Sequence, residues 1–437
     1  MANFFRILYY LGKAMKRAYW SRDKLRRYQE KRLRSIAKNA YESVAFYREK
    51  FRKAGVTADD IKTLDDLEKL PIVRKDELRH TPSPRLLSKR FNTRELKFLT
   101  TSGSTGKPFR IYINKKEDDW RKAIYMRANI SCGQKPRDRW VVMTAPRHFR
   151  DTPELQRRLG LYAQTCISVF ASIDEQIRLA AKGDPDILDG YSGSLLLLAK
   201  EADRRKLKVI HPRIIFGTAE VIDIPSRRYI ERTFGAPYYD QYGCAEVDRT
   251  AWQCPEKTGY HMDVDSVITE FVDTEGANVS AGEKGEIVHT SLFNYVMPFI
   301  RYAVGDVGVP SDEGCSCGRK LPLMKTVEGR RDSFIFLPSG QVISPRAFTV
   351  AMSMFKYYDR IEQFRFVQKR SDLFEVQIKR RDETVDEETM EPELVEHIKR
   401  KLALFDVEFE VMFVDEVPLD KSGRLRAIIS ELKSMKP

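Results

Sequence analysis

The chain has 437 residues, of which 42% are hydrophobic, 11% aromatic and 32% charged. A chain of this length can bury its own core, and it is long enough for about two or three domains. The composition excludes a largely disordered protein, and no run of about 18 apolar residues predicts a membrane-spanning helix.

The positive charge is concentrated at the N-terminus. Lys and Arg number 77 against 63 Asp and Glu, which gives a formal net charge of +14. Residues 1–55 alone contain 16 basic and 4 acidic residues, a net charge of +12. A basic excess indicates a polyanionic partner, but a nucleic-acid-binding enzyme would carry the charge on its body. We therefore interpret the surplus as a local feature of the N-terminus and do not expect a nucleic-acid partner.

Residues 1–55 form the first predicted domain, a basic helical segment. Apolar residues recur there at spacings of three and four, which is typical of amphipathic helices: Leu8, Leu11, Met15, Leu25, Tyr28, Leu33, Ile36, Ala40 and Val44. Two interpretations stay open. The helices could lie on an anionic membrane surface, or they could pack on the body of the protein with only the charged face in water.

The cysteines and the N-terminal residues predict a cytoplasmic protein. The six cysteines are unevenly spaced, as in proteins of a reducing compartment. Basic residues and aromatic residues follow the short apolar segment Phe4 to Gly12, where a signal peptide would have small residues. With membrane contact through its first domain, the protein would lie at the inner surface of the membrane.

The body of the chain predicts an α/β fold. Alternation around a Gly/Ser/Thr loop indicates a β-hairpin from Leu96 to Ile113, and residues 260–300 are rich in β-strand patterns. Between them, "RWVVMTA" and "RIIFGTAE" read as buried strands, whereas "DEQIRLAAKG" and "GSLLLLAKEADRRK" read as helices. This alternation favours a sheet that is at least partly parallel.

We place a domain boundary at Asp332, where the pattern changes. Strand patterns "FRFVQKR", "FEVQIKR" and "FEVMFV" surround an acidic helix after this point. The predicted fold is a large α/β body with mixed sheets (56–331) joined by a hinge to a small α+β C-terminal domain (332–437).

The segment "LTTSGSTGKP" from Leu99 to Pro108 is suited to a phosphate. Glycines allow close approach of the backbone, hydroxyls and amides donate to anionic oxygens, and Lys107 supplies positive charge. It is not a Walker A loop, because Pro108 stands where Ser or Thr is needed and a strand pattern follows. An ordinary hairpin loop is the alternative.

Together with four later segments, this loop resembles the adenylate-forming superfamily, in particular its phenylacetate-CoA ligase branch with the CapK-like proteins. The resemblance runs from "RLRSIAKNAYESVAFYREKF" to "SGRLRAIIS". The loop matches the family's phosphate loop through Thr101, Ser102, Gly103, Ser104, Thr105, Gly106 and Lys107. "FGTAE", with Gly217 and Glu220, resembles the adenine-side segment.

The remaining segments imply further site residues. "YYDQYGCAE" resembles the element that places Tyr242 and Gly243 at the adenine and Glu246 on magnesium. "PFIRYAVGDVG" resembles the element whose aspartate, here Asp306, binds the ribose hydroxyls. "EGRRDSFI" resembles the hinge, with Arg330 near the nucleotide and Asp332 as the pivot.

The resemblance implies an ATP- and Mg²⁺-dependent ligase. A carboxylic acid would attack the α-phosphorus of ATP, pyrophosphate would leave, and the acyl-adenylate would pass to an acceptor as the C-terminal domain turns about its hinge. The acceptor would be a thiol such as coenzyme A, or an amino sugar as expected for a CapK-like protein of cell-surface polysaccharide biosynthesis.

Arg424 departs from the family pattern, which has a catalytic lysine after the Ser-Gly pair. Arginine keeps the positive charge but is planar and bulkier. Two interpretations follow. Either Arg424 occupies the catalytic position of an active ligase, or the chain is a non-catalytic or regulatory nucleotide-binding homologue with impaired adenylation.

Three thiols and one imidazole form a second candidate constellation. Cys254 and His261 precede a β-rich segment, and Cys315 and Cys317 follow it. This is the ligand complement of a structural zinc site, although the spacing is not that of a standard zinc finger. Buried free thiols are the alternative.

Overall fold

The structure is a computed structural model that describes residues 3–100, 109–149, 152, 154–421 and 423–432. Its α-helices in chain order are α1 (Phe4–Arg17), α2 (Arg22–Ser43), α3 (Ala45–Lys53), α4 (Lys75–His80), α5 (Ser83–Leu86), α6 (Lys115–Ser131), α7 (Glu154–Arg158), α8 (Ile173–Gly183), α9 (Ser192–Arg204), α10 (Ile224–Phe234), α11 (Pro345–Ser353) and α12 (Glu387–Leu402).

The strands follow in the same order. They are β1 (Val73–Arg74), β2 (Lys97–Thr100), β3 (Arg110–Ile113), β4 (Trp140–Thr144), β5 (Gln164–Ser168), β6 (Ile187–Tyr191), β7 (Ile214–Thr218), β8 (Tyr238–Cys244), β9 (Asp248–Gln253), β10 (Tyr260–Met262), β11 (Val267–Val272), β12 (Gly285–Ser291), β13 (Tyr302–Ser311), β14 (Leu323–Arg330), β15 (Ile335–Phe336), β16 (Val342–Ile343), β17 (Ile361–Arg370), β18 (Leu373–Arg380), β19 (Glu408–Phe413) and β20 (Ile428–Ser430). These elements confirm the α/β class. No helix among the described residues is long and apolar enough to cross a membrane.

The chain divides into two compact units, which are described separately. The first comprises residues 1–137, 151–163 and 239–327. Its main sheet has the strand order β11-β12-β13-β14-β10-β9-β8, in which β11 to β13 and β8 to β10 pair antiparallel. β2 pairs antiparallel with β3, which confirms the hairpin expected around the Gly/Ser/Thr loop.

The N-terminal helices are part of the first unit. Ile7, Leu11 and Ala14 of α1 are buried, and the first two pack against Ala123 and Met126 of α6. The structure therefore supports the second interpretation of this segment, in which its apolar face packs on the body. Leu8 was wrongly placed on that face: it is 39% exposed, because the buried row of α1 is centred on residues 7, 11 and 14.

The second unit comprises residues 138–150, 164–238 and 328–437. Its parallel sheet has the order β7-β6-β4-β5, which confirms the expected parallel strands. A hydrophobic core joins these strands to α8, α9 and α10. Of the two predicted helices after "RWVVMTA", α8 is capped by the hydroxyl of Ser172, whereas α9 begins at Ser192 and has no capping side chain.

The C-terminal part of the second unit has its own sheet and core. The sheet order is β19-β18-β17-β20, with β17 and β18 antiparallel and both outer pairs parallel. The core includes Phe348, Phe366 and Phe374, together with Met390 and Leu394 of the acidic helix α12. Asp332, the predicted pivot, lies in a short 3-10 helix between β14 and β15. The three-part division at residues 55 and 331 stays a prediction.

Candidate active site

Glu246 presents a buried carboxylate in the turn between β8 and β9. Its Oε1 accepts a hydrogen bond of 2.8 Å from the hydroxyl of Tyr302 on β13. Lys75, the first residue of α4, places its Nζ 3.0 Å from the same oxygen. The backbone carbonyl of Glu246 is held by the side chains of Asn294 and Arg121, at 3.1 and 3.2 Å. The turn is therefore fixed from three elements of the first unit.

The surroundings of Glu246 keep its carboxylate ionised. Burial disfavours the charged form, but the charge of Lys75 and the hydrogen bonds from Tyr302 and Lys75 outweigh it, and the pKa of Glu246 lies below its ordinary value. A fixed, negatively charged oxygen ligand is what a hard cation such as Mg²⁺ prefers. The residues present therefore fit the metal that the sequence predicts here.

Tyr242 and Asp306, both predicted nucleotide residues, are hydrogen bonded to each other. The hydroxyl of Tyr242 on β8 donates to Oδ2 of Asp306 on β13 at 2.8 Å. Gly243 follows at a β-bulge, where a Cβ would lie 2.3 Å from the carbonyl oxygen of Asp248. Glycine is thus required by the close approach of β9.

Arg301, which precedes β13, donates its hydrogen bonds to other residues of the protein. Its guanidinium donates to Glu270 at 3.1 Å and to the carbonyl oxygens of Leu70 and Gly276 at 2.8 and 2.7 Å. The side chain is buried. Its role is to join β13 to neighbouring loops of the first unit.

The second unit carries the other predicted residues. Gly217 lies in β7 and Glu220 in the bend that follows it. The Glu220 carboxylate accepts backbone N–H groups from Gly193 at 2.6 Å and from Leu425 at 2.7 Å. The guanidinium carbon of Arg424 lies 5.8 Å from the centre of the Tyr191 ring.

Arg330 and the phosphate loop complete the set. Arg330 is the last residue of β14 and is exposed. The phosphate loop lies outside the described residues from Thr101 to Lys107, between the hairpin strands β2 and β3.

The structure brings together the four side chains proposed as zinc ligands. The Sγ atoms of Cys254 and Cys315 are 3.5 Å apart, and Sγ of Cys317 is 3.3 Å from Nε2 of His261. All four ligand atoms lie within 4.8 Å of one another, so this cluster could hold one metal ion. Cys254 and His261 are buried, which suits a closed structural site.

Sequence reasoning missed Lys75 and Tyr302. Both touch Glu246 but come from distant parts of the chain, α4 and β13. Tyr302 belongs to the segment "PFIRYAVGDVG", four residues before Asp306, so the sequence offered a signal that it lies near the site. Lys75 carries no such signal.

Comparisons with known proteins agree on one family. The family described as CapK C-terminal domain matches residues 336–431. The phenylacetate-coenzyme A ligase of Escherichia coli K12 is 30% identical over 339 residues, 72% of this chain and 73% of that protein. Protein CapK of Staphylococcus aureus is 23% identical over 407 residues, 89% of this chain and 85% of that protein.

A solved structure shares the fold. A crystal structure of 2-hydroxyisobutyryl-CoA ligase in the postadenylation state, in complex with R3-HIB-AMP, superposes with a TM-score of 0.79 and 21% identity. The match covers 95% of this chain and 92% of that chain.

Proposed function

The chain belongs to the phenylacetate-CoA ligase family of adenylate-forming enzymes, and we propose from this premise how its own residues perform the reaction. A carboxylic acid is activated with ATP to an acyl-adenylate, pyrophosphate leaves, and the acyl group passes to a thiol acceptor such as coenzyme A. The observation that carries the proposal is that β13 supplies both Tyr302, which binds the buried Glu246 with its lowered pKa, and Asp306, which accepts the hydroxyl of Tyr242.

The residues of the first unit bind and orient the nucleotide in this proposal. Glu246 holds Mg²⁺, which when bound supplies positive charge to the phosphates of ATP. Asp306, oriented by Tyr242, accepts hydrogen bonds from the ribose hydroxyls, and Gly243 leaves room beside the adenine. Lys75 neutralises Glu246 when the metal is absent.

The roles of the phosphate loop and of the predicted residues in the second unit are assigned from the family resemblance. We assign the phosphates to the loop from Thr101 to Lys107 and the adenine to the segment of Gly217 and Glu220. Arg424 places its positive charge at the reacting carboxylate and α-phosphate, and Arg330 lies near the nucleotide. Such catalysis consists of positioning and electrostatic stabilisation rather than covalent chemistry by the protein.

An amine acceptor is the second candidate. Transfer to an amino sugar in cell-surface polysaccharide biosynthesis is supported by the match of residues 336–431 to the CapK C-terminal domain. The two acceptors can be distinguished by experiment. Acyl-adenylate is generated by the enzyme in the presence of coenzyme A or an amino sugar; a thioester product supports the first proposal, and an amide product supports the second.

Exchange of labelled pyrophosphate into ATP, measured with a panel of carboxylic acids, tests the proposed activity. Acid-dependent exchange supports the ligase, whereas ATP binding with no exchange for any acid supports the non-catalytic nucleotide-binding alternative. Arg424→Lys tests the effect of having arginine where the family has lysine. Faster exchange would mean that arginine weakens adenylation, and slower exchange would mean that it has a specialised role.

We also propose that the Cys254, His261, Cys315 and Cys317 cluster binds a structural Zn²⁺. The closeness of the four ligand atoms supports this assignment. A tetrahedral ion there would tie β9 and β10 to the loop before β14.

A peripheral membrane contact is proposed for the outer side of α1. Phe5 and Tyr9 are 79% and 56% exposed, and with Leu8 they form an apolar row on a helix that carries basic residues and no acidic ones. Flotation with anionic and neutral vesicles tests this contact. Binding to anionic vesicles that Phe5→Ser/Tyr9→Ser removes supports it, and equal recovery with both lipids contradicts it.

A further inference from the structure

One carboxylate outside the loop that carries Arg424 accepts the backbone N–H of the residue directly after Arg424. We propose that Glu220 is a positioning residue for Arg424, fixing that loop for the adenylation half-reaction; this inference rests on the proposed function. Glu220 belongs to the segment assigned to the adenine, yet both of its carboxylate oxygens are occupied by backbone donors of the protein.

The two donors come from different parts of the second unit. Oε2 accepts the N–H of Gly193, the second residue of α9, whose amide has no acceptor within its own helix. Oε1 accepts the N–H of Leu425, the residue directly after Arg424. Glu220 therefore connects the first turn of a core helix to the Arg424 loop.

Other hydrogen bonds hold the loop on either side of Arg424: Arg147 donates to the carbonyl oxygen of Lys421 at 3.4 Å, and Arg365 donates to that of Arg426 at 3.0 Å. Inside the loop, Asp420 Oδ1 accepts the N–H of Arg424 at 3.1 Å, and the N–H of Asp420 donates to the Arg424 carbonyl at 2.8 Å. Arg424 is thus held within a closed turn, and the bond from Leu425 to Glu220 fixes that turn on α9. Releasing Leu425 would leave the turn intact but free it from this anchor.

The chemistry of the side chain explains why a carboxylate is needed. Two N–H donors pointing at two oxygens require two acceptors, and glutamine offers one acceptor and one NH₂ donor. Glu220→Gln keeps the shape and volume but places an N–H against an N–H at one of the two contacts. The Gly193 amide belongs to a packed helix, so the Leu425 contact is the one expected to open.

Gly193 provides a second, independent way to move the carboxylate. A Cβ at this position would lie 2.8 Å from Oε2 and 3.2 Å from Oε1 of Glu220. Gly193→Ala therefore displaces the carboxylate while leaving Glu220 itself in place. Because both changes act on one interaction, their effects should be less than additive in the double variant.

The direct test is amide hydrogen exchange of the segment containing Leu425, in wild type, Glu220→Gln and Gly193→Ala. Burial raises the pKa of Glu220 to about 7. The measurement is therefore made at pH 8, where the carboxylate is mostly ionised. We expect about 10-fold faster exchange in both variants, since this amide loses its acceptor. Glu201→Gln, the same change in an ion-paired residue of α9, is the matched control and should exchange like wild type.

The activity test separates the half-reactions. Pyrophosphate exchange should fall about 10- to 100-fold in both variants, because a misplaced catalytic group is costly. Transfer from supplied acyl-adenylate to coenzyme A is measured in Gly193→Ala, which leaves Glu220 unchanged in the adenine segment, and should stay within about 2-fold of wild type. A general folding defect would lower both rates together, and that result would overturn the inference, as would unchanged exchange at Leu425.

The outcomes for the inference and for the proposed function are distinguishable. If wild type performs no acid-dependent pyrophosphate exchange, the proposed function fails, whatever the amide measurement gives. If wild type is active and both variants behave like Glu201→Gln, only the role of Glu220 fails.

Discussion

At the scale of single residues, the most consequential contact is the one between Lys75 and Glu246. A buried carboxylate is costly unless it is paired, and here one ammonium group and one phenol share the same oxygen. The Lys75 side chain is 25% exposed and that of Glu246 only 3%, so the lysine can move towards solvent or phosphate more easily than the glutamate can. Glu246 is therefore kept charged, as the proposed binding of Mg²⁺ requires.

Glu246→Gln should lower pyrophosphate exchange by about 100-fold or more, because it removes the charge that holds the metal and with it the neutralisation of the phosphates. Glu286→Gln is the matched control, since Glu286 is also buried and ion-paired, with Arg74, but lies outside the family motifs. Circular dichroism checks that both variants fold. Equal losses in the two variants would contradict the assignment.

At the same scale, Asp306→Ala should abolish nucleotide turnover with the fold retained. The variant lacks the carboxylate that Tyr242 orients and that accepts the ribose hydroxyls in our proposal. The same exchange assay measures the loss. Tyr242→Phe, which keeps the ring and removes only the hydroxyl, should give a smaller loss. Full activity of Asp306→Ala would remove Asp306 from the nucleotide site.

At the scale of elements, the proposed zinc cluster connects strands that are far apart in the chain. Purified protein should contain about one zinc per chain by elemental analysis, and Cys315→Ser should lose it and unfold at a lower temperature. Cys166→Ser is the control, because Cys166 lies outside the cluster and should leave the zinc content unchanged. Metal-free wild type with unchanged thermal stability would contradict the proposal.

Lys200 joins α9 to the C-terminal sheet of the second unit. Its Nζ donates to the carbonyl oxygens of Ile361 and Glu362 at 2.8 and 2.6 Å. Burial lowers the pKa of Lys200 to about 8, from an ordinary value of 10.5. Between these pH values the native amine is neutral while the unfolded amine still binds a proton, so rising pH stabilises the native state.

The free energy of unfolding of wild type, relative to Lys200→Met, should therefore rise by roughly 3 kcal/mol from pH 8 to pH 10.5. Denaturant titrations at several pH values measure this difference. Wild type and a Lys182→Met variant, in which an exposed lysine of α8 is changed, should give parallel curves. If the free energy of unfolding of Lys200→Met changed with pH in the same way as that of wild type, the prediction would be wrong.

The sequence predicted elements better than contacts. The hairpin β2–β3 and the helices α8 and α9 follow from periodicity, and α8 also from its capping serine, Ser172; these are local properties. Lys75 escaped prediction because periodicity does not say which side chain of α4 meets a turn after β8. Leu8 was misplaced for a related reason: in a short amphipathic helix, a shift of one residue moves the buried face by about 100°.

At the scale of the whole molecule, the basic N-terminal segment is integral to the first unit rather than an appendage. Leu33, Ile36 and Phe51 are fully buried despite the surrounding charge. Leu33→Ala should lower the free energy of unfolding by about 2–5 kcal/mol, whereas Leu8→Ala should change it by less than about 0.5 kcal/mol. Chemical denaturation compares the two variants, and equal effects would contradict the packing of this segment.

The three thiols and the imidazole also make the protein sensitive to how it is prepared. Sulfur atoms of Cys254 and Cys315 that are 3.5 Å apart need little movement to form a disulfide when no ion separates them. With the proposed Zn²⁺ bound, a chelating buffer or a nickel affinity column would change the metal occupancy of the cluster, and air oxidation would change the redox state of its three thiols. Batches purified under reductant with added zinc should therefore be the more uniform ones.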